Sequence, residues 1–419
     1  MSSPPSESEL AGRLARSLTP EVYRLLQTAA LIGQQQRVPI YLVGGPVRDL
    51  VLEQPITDID LVIEGDAWPV AEAFHAHVGG RLTEHAAFRT AAVEIEVDGA
   101  PFAIDFVTAR REVYPAPAAL PVITPSHIKD DLHRRDFTIN TLALRLDIPD
   151  VKLLDPYDGL RDIRHGLMRV LHDDSFNDDP TRILRGARIA TRLHFAVEPH
   201  TTALIGQALD VAMIARTSAQ RILHELWLLL SEPEPEAALT LLHAWGTFPQ
   251  LELVWSTAWL HQFPAARALH PPDAPLPLIY VGLLLWPMDA TRRAIFATRY
   301  NLPHAERKLL HDLPPALPAA LSQPDLPATM LEQILHPYSA VVLRVLQLVA
   351  PPAMAAQIMR YLTTIRPLPA LLSGDDLRAR GIAPGPIYRD LLHELRQAQL
   401  GGTITTRDEA LGWLARRWA

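Results

Sequence analysis

Along the first third of the chain, short apolar runs alternate with segments that have the pattern of helices. Four runs, each bounded by turn-forming residues, predict strands at Tyr41–Gly44, Asp58–Glu64, Ala91–Val97 and Phe102–Ala109. Apolar positions three and four residues apart predict helices over Glu21–Gln36, from near Pro46, and over Ala67–His77. The dipeptide Asp98-Gly99 is a strong tight-turn signal, so the last two strands should form a hairpin. This third of the chain therefore predicts a mixed α/β domain.

Strand signals fade from about Arg161 onward, where apolar residues recur at helical spacing. Prolines concentrate between His261 and Pro327, as they do at corners between helices. We therefore expect an α+β protein, in which an α/β head is followed by an all-helical remainder that makes up more than half of the chain.

Composition narrows the possible chemistry. The chain has 419 residues, of which 48% are hydrophobic and 21% charged, as in an ordinary globular protein. It contains no cysteine, which excludes disulfides, thiolate catalysis, Cys-ligated zinc and iron–sulfur clusters. The polar start MSSPPSESEL does not resemble a signal peptide, and the longest apolar run, Leu276–Met288, is too short to span a bilayer. We expect no membrane association and a cytoplasmic location.

The formal net charge of −8 argues against binding to nucleic acid, because such proteins are usually basic. The local distribution of charge points the other way. Between Pro180 and Val197 there is no acidic residue, and four arginines recur at helical spacing, at positions Arg182, Arg185, Arg188 and Arg192. This spacing predicts one basic helix face.

The stretch YLVGGPVRDLVL is a candidate phosphate cradle. An apolar strand ends at Gly44 and Gly45, and Pro46 follows as a first helical residue. Glycine lets backbone N–H groups approach an anion, the helix start favours negative charge, and Arg48 lies on the first turn. A plain strand–turn–helix connection would explain the same residues equally well.

Two aspartates, Asp58 and Asp60, lie one residue apart in the next strand and so should share a face. They are either the polar end of a strand or a pair of metal ligands. Asp105 is the first candidate for a third carboxylate, with Glu94 and Glu96 as rivals. Three carboxylates beside a phosphate cradle predict a two-metal site, with Mg²⁺ as the preferred ion.

Two further motifs combine arginine with aspartate. In DLHRRDFTIN, Arg134 and Arg135 could contact phosphates, while Asp136 and Asn140 could hold a ribose. The alternative is that Asp136 only caps a helix. In NDDPTRILRGAR, Asp179 precedes Pro180 as a helix start would, and Asp179 and Arg182 could together pair with the edge of a nucleobase.

The order and spacing of GGPVRD, DID, RRDFTIN and DDPTRILRGARIATRLHF resemble the class II tRNA nucleotidyltransferases and their poly(A) polymerase relatives. The resemblance covers about residues 38–232 and 370–415. It implies a polymerase-beta-like nucleotidyltransferase head, with neck, body and tail following. The implied division is an N-terminal segment and helix (1–35), a catalytic head (36–147), a base-recognising neck (148–232), a helical body (233–365) and a tRNA-binding tail (366–419).

The resemblance implies roles for the motif residues. Asp58 and Asp60 would hold the metal ions, with Asp105 as the third catalytic carboxylate. The remaining candidates would bind the nucleotide, namely Gly44, Gly45, Arg48, Arg134, Arg135, Asp136, Asn140, Asp179, Arg182, Arg185 and Arg188. Among these, Asp179 and Arg182 would serve as the template for the incoming base. Residues Thr108–Leu120 fall where the family has a flexible loop that helps to switch from C to A addition.

The implied reaction is the transfer of CMP and/or AMP from CTP and ATP to a tRNA 3′ end, with Mg²⁺ and without a nucleic-acid template. Alternatives are an enzyme that adds only the final adenosine, a poly(A) polymerase, and, more remotely, a non-catalytic RNA-binding protein. Two positions depart from the family pattern, because Asp178 replaces a usual Glu and Gln220-Arg221 replaces a Glu-Arg pair. The oligomeric state does not follow from the sequence.

Overall fold

The structure is a computed structural model, and it describes residues 4–85, 89–269, 271–302 and 304–417. The chain divides into two compact units, Met1–Leu251 and Glu252–Ala419. The mixed α/β head and the mostly helical remainder confirm the predicted fold class. The five-part division of the chain stays a prediction at its inner boundaries.

The first unit contains all the described strands, whose bounds are β1 (Ile40–Val43), β2 (Ile59–Ile63), β3 (Arg81–His85), β4 (Thr90–Val97), β5 (Ala100–Thr108), β6 (Arg110–Val113), β7 (Val122–Pro125), β8 (Ala143–Asp147), β9 (Asp150–Leu154), β10 (Leu167–Met168) and β11 (Ala196–Val197). Its helices are α1 (Glu7–Ser17), α2 (Pro20–Gln36), α3 (Gly45–Val51), α4 (Ala67–Val78), α5 (Ile128–His133), α6 (Gly159–His165), α7 (Ser175–Asp178), α8 (Thr181–Leu193), α9 (Pro199–Asp210), α10 (Met213–Arg216), α11 (Ala219–Leu230) and α12 (Pro235–Trp245).

Seven strands form one sheet in the order β3-β4-β5-β2-β1-β8-β9. Its only parallel pair among the described strands is β2 with β5, and the other neighbours are antiparallel. The predicted hairpin is confirmed: Val97 pairs with Ala100 across Asp98 and Gly99, which both adopt positive φ. Such angles match the twist of the flanking strands.

The interior of the sheet explains why the first strand reads as a continuous apolar run. Every residue of β1 is buried. Tyr41, Val43 and Val62 pack with Ile128 and Leu132 of α5 in one hydrophobic cluster. Because side chains alternate along a strand, Asp60 lies on the same sheet face as Val62. The helix α5 therefore covers the face that carries the candidate metal ligands.

Several sequence-based expectations need correction. The strands β3, β8 and β9 were not predicted, and the two-residue pair β10–β11 interrupts the remainder that was expected to be all helical. The run that carries Asn140 is a single 3-10 turn, Thr138–Asn140, with Phe137 rather than Asp136 at its N-cap. The segment Thr108–Leu120 includes a strand, β6, which pairs with β7.

The described residues of the second unit form helices and connecting segments, with no strand among them. Its helices are α13 (Thr257–Leu260), α14 (Gln262–Leu269), α15 (Leu276–Leu285), α16 (Ala290–Tyr300), α17 (His304–Asp312), α18 (Ala328–Leu335), α19 (Ala340–Val349), α20 (Pro352–Arg360), α21 (Gly374–Ala379), α22 (Pro386–Leu400) and α23 (Arg407–Arg417). A π-helical turn, Tyr361–Ile365, follows α20. No helix within the described residues is long and apolar enough to cross a membrane.

The last three helices have a hydrophobic cluster of their own. It is built entirely from residues between positions 371 and 414, with Leu377, Leu391 and Leu414 among its buried members. Within the same unit, Arg396 of α22 donates to the backbone carbonyls of Ile365 and Leu368. The tail thus combines a separate core with a polar attachment to the segment that precedes it.

Candidate active site

Three carboxylates lie together near the start of β2, in the parallel strand pair. Asp60 of β2 is paired in register with Asp105 of β5, and Asp58 immediately precedes β2. Glu94 and Glu96 pair instead with Ala103 and Pro101, nearer the start of β5. The structure therefore brings Asp105, rather than either glutamate, beside Asp60.

The electrostatics of this group favour a cation. Burial raises the pKa of Asp60, and Asp105 and Asp58 raise it further, while Arg135 opposes the shift. Burial and Asp58 likewise raise the pKa of Asp105. Within residues 4–85, 89–269, 271–302 and 304–417, however, no group of three or more His, Asp or Glu side chains is arranged to hold a metal ion by itself. Because Mg²⁺ takes a few carboxylates and completes its shell with water and phosphate oxygens, a magnesium site here would need ligands beyond these side chains.

The turn after β1 is formed as predicted, but its groups are engaged internally. Gly44 adopts a φ of 74°, and its N–H donates to the carbonyl of Leu142. A Cβ there would lie 2.7 Å from a guanidinium nitrogen of Arg135. Arg48 is buried, pairs with Asp49 and donates to Asn140 Oδ1 at 2.6 Å. Arg48 therefore orients the side chain of Asn140.

The paired arginines after α5 are organised by a buried acid that sequence analysis did not single out. Asp131 accepts from Arg134 at 2.8 Å and from Arg135 at 3.0 Å. Burial alone would raise the pKa of Asp131, yet the two guanidinium groups outweigh it and lower that pKa. Glu112 of β6 also binds Arg134, at 3.2 Å. Both arginines are therefore held in place before any ligand binds.

One of the two proposed template residues, Asp179, contacts an arginine from a later helix. Arg221 of α11 binds Asp179, with 2.6 Å between Nη2 and Oδ1, and its Nη1 donates to the carbonyl of Ala118 at 3.3 Å. The N-cap of α8 is Pro180 rather than Asp179, because the helix begins at Thr181, but Asp179 still accepts from the backbone N–H of Thr181. This bond and a role in base recognition are compatible.

Arg182 is more deeply placed than the sequence suggests. Only 3% of the residue is exposed, and its guanidinium donates to Ser175 Oγ and to the carbonyl of Arg134, both at 2.7 Å. Arg182 therefore contributes to the packing of the first unit as well as to the cavity. The same bonds fix the direction in which the guanidinium points.

Three of the four arginines on the predicted basic face of α8 pair with acidic side chains. Arg185 binds Glu225 of α11 at 2.6 Å and Asp136 at 3.3 Å. Arg188 lies 3.6 Å from Glu225 and 3.3 Å from Glu232, and Arg192 lies 3.6 Å from Glu232. Burial tends to lower the pKa of Arg185, but Asp136 and Glu225 raise it. Acids distant in sequence therefore neutralise this face.

A cavity of about 330 Å³ lies among these groups, and its lining consists of Gly45, Glu112, Tyr114, Pro121, Arg134, Arg135, Asp136, Asn140, Asp179, Arg182, Arg185 and Arg221. The lining carries five arginines and three carboxylates, which is an excess of positive charge suited to a phosphorylated ligand. Eight of the eleven candidate nucleotide-binding residues are among them. Gly44, Arg48 and Arg188 are not, and neither are the three carboxylates of the sheet.

Sequence reasoning missed Glu112, Tyr114 and Asp131, and it noted Arg221 only beside a departure from the family pattern. The available signals were modest. Asp131 precedes Arg134 and Arg135 by three and four residues, which is the spacing of ion pairs on a helix. Glu225 is four residues beyond Arg221, so the two share a face of α11.

Comparison with known proteins agrees with this geometry. The profile of the poly A polymerase head domain matches residues 40–169. An A-adding tRNA nucleotidyltransferase of Halalkalibacterium halodurans is 34% identical over 409 residues, covering 94% of this chain and 92% of that protein. A CC-adding tRNA nucleotidyltransferase of Deinococcus radiodurans is 34% identical over 374 residues, covering 88% of this chain and 86% of that one.

Solved structures resemble the chain along almost its whole length. A CCA-adding enzyme in complex with ATP matches with a TM-score of 0.77 and 26% identity, covering 97% of this chain and 98% of that one. A Thermotoga maritima CCA-adding enzyme complexed with tRNA matches with a TM-score of 0.71 and 27% identity, with the same coverage. The chain is therefore an enzyme of the nucleotidyltransferase class and belongs to the class II family of tRNA nucleotidyltransferases.

Proposed function

We propose that this enzyme adds nucleotides to the 3′ end of tRNA from CTP and/or ATP, without a nucleic-acid template. The proposal rests on the position of an arginine-rich cavity beside the group of three carboxylates in the first unit. An arginine-rich cavity holds an aspartate–arginine pair, and Arg135 in its wall interacts electrostatically with Asp60 of the carboxylate group. A nucleotide in this cavity would have its phosphates directed toward the carboxylates.

The choice of nucleotide follows from hydrogen-bonding chemistry. Cytosine and adenine each present an exocyclic amino donor beside a ring-nitrogen acceptor, whereas guanine and uracil present the opposite pattern there. A carboxylate accepts and a guanidinium donates, so Asp179 with Arg182 matches C and A and rejects G and U. One pair of side chains would thus serve both nucleotides.

The remaining residues would orient the substrate. Arg134 and Arg135 would bind phosphate oxygens, and Asp136 with Asn140 would contact the ribose, since Asn140 Nδ2 already donates to Asp136 at 2.9 Å. Asp58, Asp60 and Asp105 would hold Mg²⁺, which when bound lowers the pKa of the attacking 3′-hydroxyl and neutralises the leaving pyrophosphate. Because its substrates are there, we place the enzyme in the cytoplasm.

A second candidate, addition of the terminal adenosine alone, has specific support. The H. halodurans relative, together with relatives from Geobacter sulfurreducens and Aquifex aeolicus, is named an A-adding enzyme. The connection from Thr108 to Arg134 is long and carries the β6–β7 hairpin, which favours an enzyme able to reach the final A over one that stops at CC.

Three acceptors separate these possibilities: tRNA lacking CCA, tRNA ending in C, and tRNA ending in CC. Extension of all three to CCA supports complete addition, and extension of only the CC acceptor by ATP identifies an A-adding enzyme. Arrest at CC would contradict the argument from the hairpin, and a long ladder of added A would identify a poly(A) polymerase. Loss of incorporation with EDTA tests the requirement for a divalent ion.

A further inference from the structure

The β6–β7 hairpin, here called the arm (residues 110–125), has two unlike faces. Glu112 and Tyr114 lie on one side of the arm and line the cavity together with Pro121. Val113 lies on the opposite side, directly across from Val122. We call this second side the outer face.

The outer face is apolar and open to solvent. Val113 is 52% exposed, Val122 58%, and the adjoining Leu120 67%. These are three of the five large hydrophobic residues that are exposed in the described part of the first unit. Apolar residues clustered in this way on a surface usually mark a contact site.

The chemistry around the outer face suits RNA. From Val113 to Ser126 the chain has no acidic residue, although its formal net charge is −8. This part of the arm therefore contributes no negative side chain that would repel a nucleic acid. Arg111, two residues before Val113, is exposed on the outer face and supplies a cation. An arginine can contact a phosphate or stack on a base, and neighbouring apolar side chains can pack against the ribose.

The position of the arm identifies which part of an RNA would reach it. The arm starts at the end of β5, the strand of Asp105, and its turn is attached at Ala118 to Asn177 and Arg221 beside the template residues. It thus runs from the carboxylates to the template. We propose that the outer face of the arm binds the acceptor end of the tRNA, contacting the last base pair or the unpaired 3′ nucleotides. This inference rests on the proposed function.

The absence of cysteine allows a direct test. A thiol-directed photo-cross-linker on full-length Leu120→Cys should react with a tRNA acceptor-stem minihelix ending in CC, at its terminal nucleotides. The matched control is Leu31→Cys, which is 55% exposed on α2 and lies outside the arm. Adducts no more abundant than in the control, or adducts to a second copy of the chain instead of RNA, would overturn the proposal.

A kinetic test complements the cross-linking. In Val113→Ser/Val122→Ser the KM for the minihelix should rise roughly tenfold, from the loss of apolar contact, while the KM for ATP stays at the wild-type value. Leu31→Ser should change neither constant. An unchanged minihelix KM refutes the inference, and so does a rise in both constants. Failure of the wild type to extend any tRNA would refute the proposed function instead, so the two outcomes are distinguishable.

Discussion

Replacing Glu225 by Ala should destabilise the first unit strongly, because this buried acid holds two arginines of a neighbouring helix. Glu225 is 3% exposed and accepts from Arg185 through Nε at 2.9 Å and Nη2 at 2.6 Å. Its other oxygen lies 3.6 Å from Arg188. In the variant, Arg185 keeps only its 3.3 Å contact with Asp136.

The size of the effect follows from how much of the pair is buried. Removing one partner of a buried ion pair costs about 3–5 kcal/mol. The Arg185 side chain is 31% exposed, so water replaces part of what is lost, and we expect about 3 kcal/mol, the lower end of that range. Glu225→Gln keeps one acceptor oxygen but loses the charge, for which we expect about 1.5 kcal/mol.

Urea unfolding followed by circular dichroism measures the change, and hydrogen exchange of α8 amides locates it. The control is Glu234→Gln, an exposed glutamate nearby, for which we expect a change within about 0.5 kcal/mol. A double-mutant cycle with Arg185→Ala should give a coupling energy of about 2 kcal/mol. If Glu225→Ala unfolds at the same urea concentration as the control, the ion pair does not stabilise the unit and the reasoning fails.

Other changes have equally definite expectations. Asp60→Asn should abolish nucleotide addition yet raise the urea midpoint of the metal-free protein, because it relieves repulsion from Asp105; a lower midpoint would contradict the metal assignment. Arg221→Lys should reduce discrimination between correct and incorrect nucleotides, since an ammonium cannot hold Asp179 and the arm carbonyl in the same planar geometry; incorporation of all four nucleotides tests this. Burial alone would raise the pKa of Asp136, but Arg185 and hydrogen bonds lower it. The ionised carboxylate therefore stabilises the protein above about pH 3.9, and this stability is lost as the pH falls through the lowered pKa. Asp136→Asn should flatten this part of the dependence of unfolding free energy on pH. Deletion from Leu371 removes a separate hydrophobic cluster and should weaken tRNA binding and its salt dependence while leaving ATP affinity unchanged; equal loss of both affinities would count against a tRNA-binding tail.

The sequence alone determined those elements that depend on residues close together along the chain. The strand β1 and the Asp98-Gly99 hairpin were predicted nearly to the residue, because a buried strand needs a continuous apolar run and a two-residue turn needs residues that tolerate positive φ. The pairing of Asp58 and Asp60 near a glycine turn was also evident, since alternation along one strand is a local property.

Tertiary structure alone decided how the charges are balanced. Helical spacing predicted a basic face on α8, yet it could not show that Glu225, 40 residues after Arg185, would bind Arg185 and lie beside Arg188. The buried position of Arg182 and the contact of Arg221 with both Asp179 and the arm have the same origin. Sequence patterns indicate which face of an element is apolar. The partner of a buried charge depends instead on how elements distant along the chain pack together. That partner determines whether an arginine is free to bind a ligand.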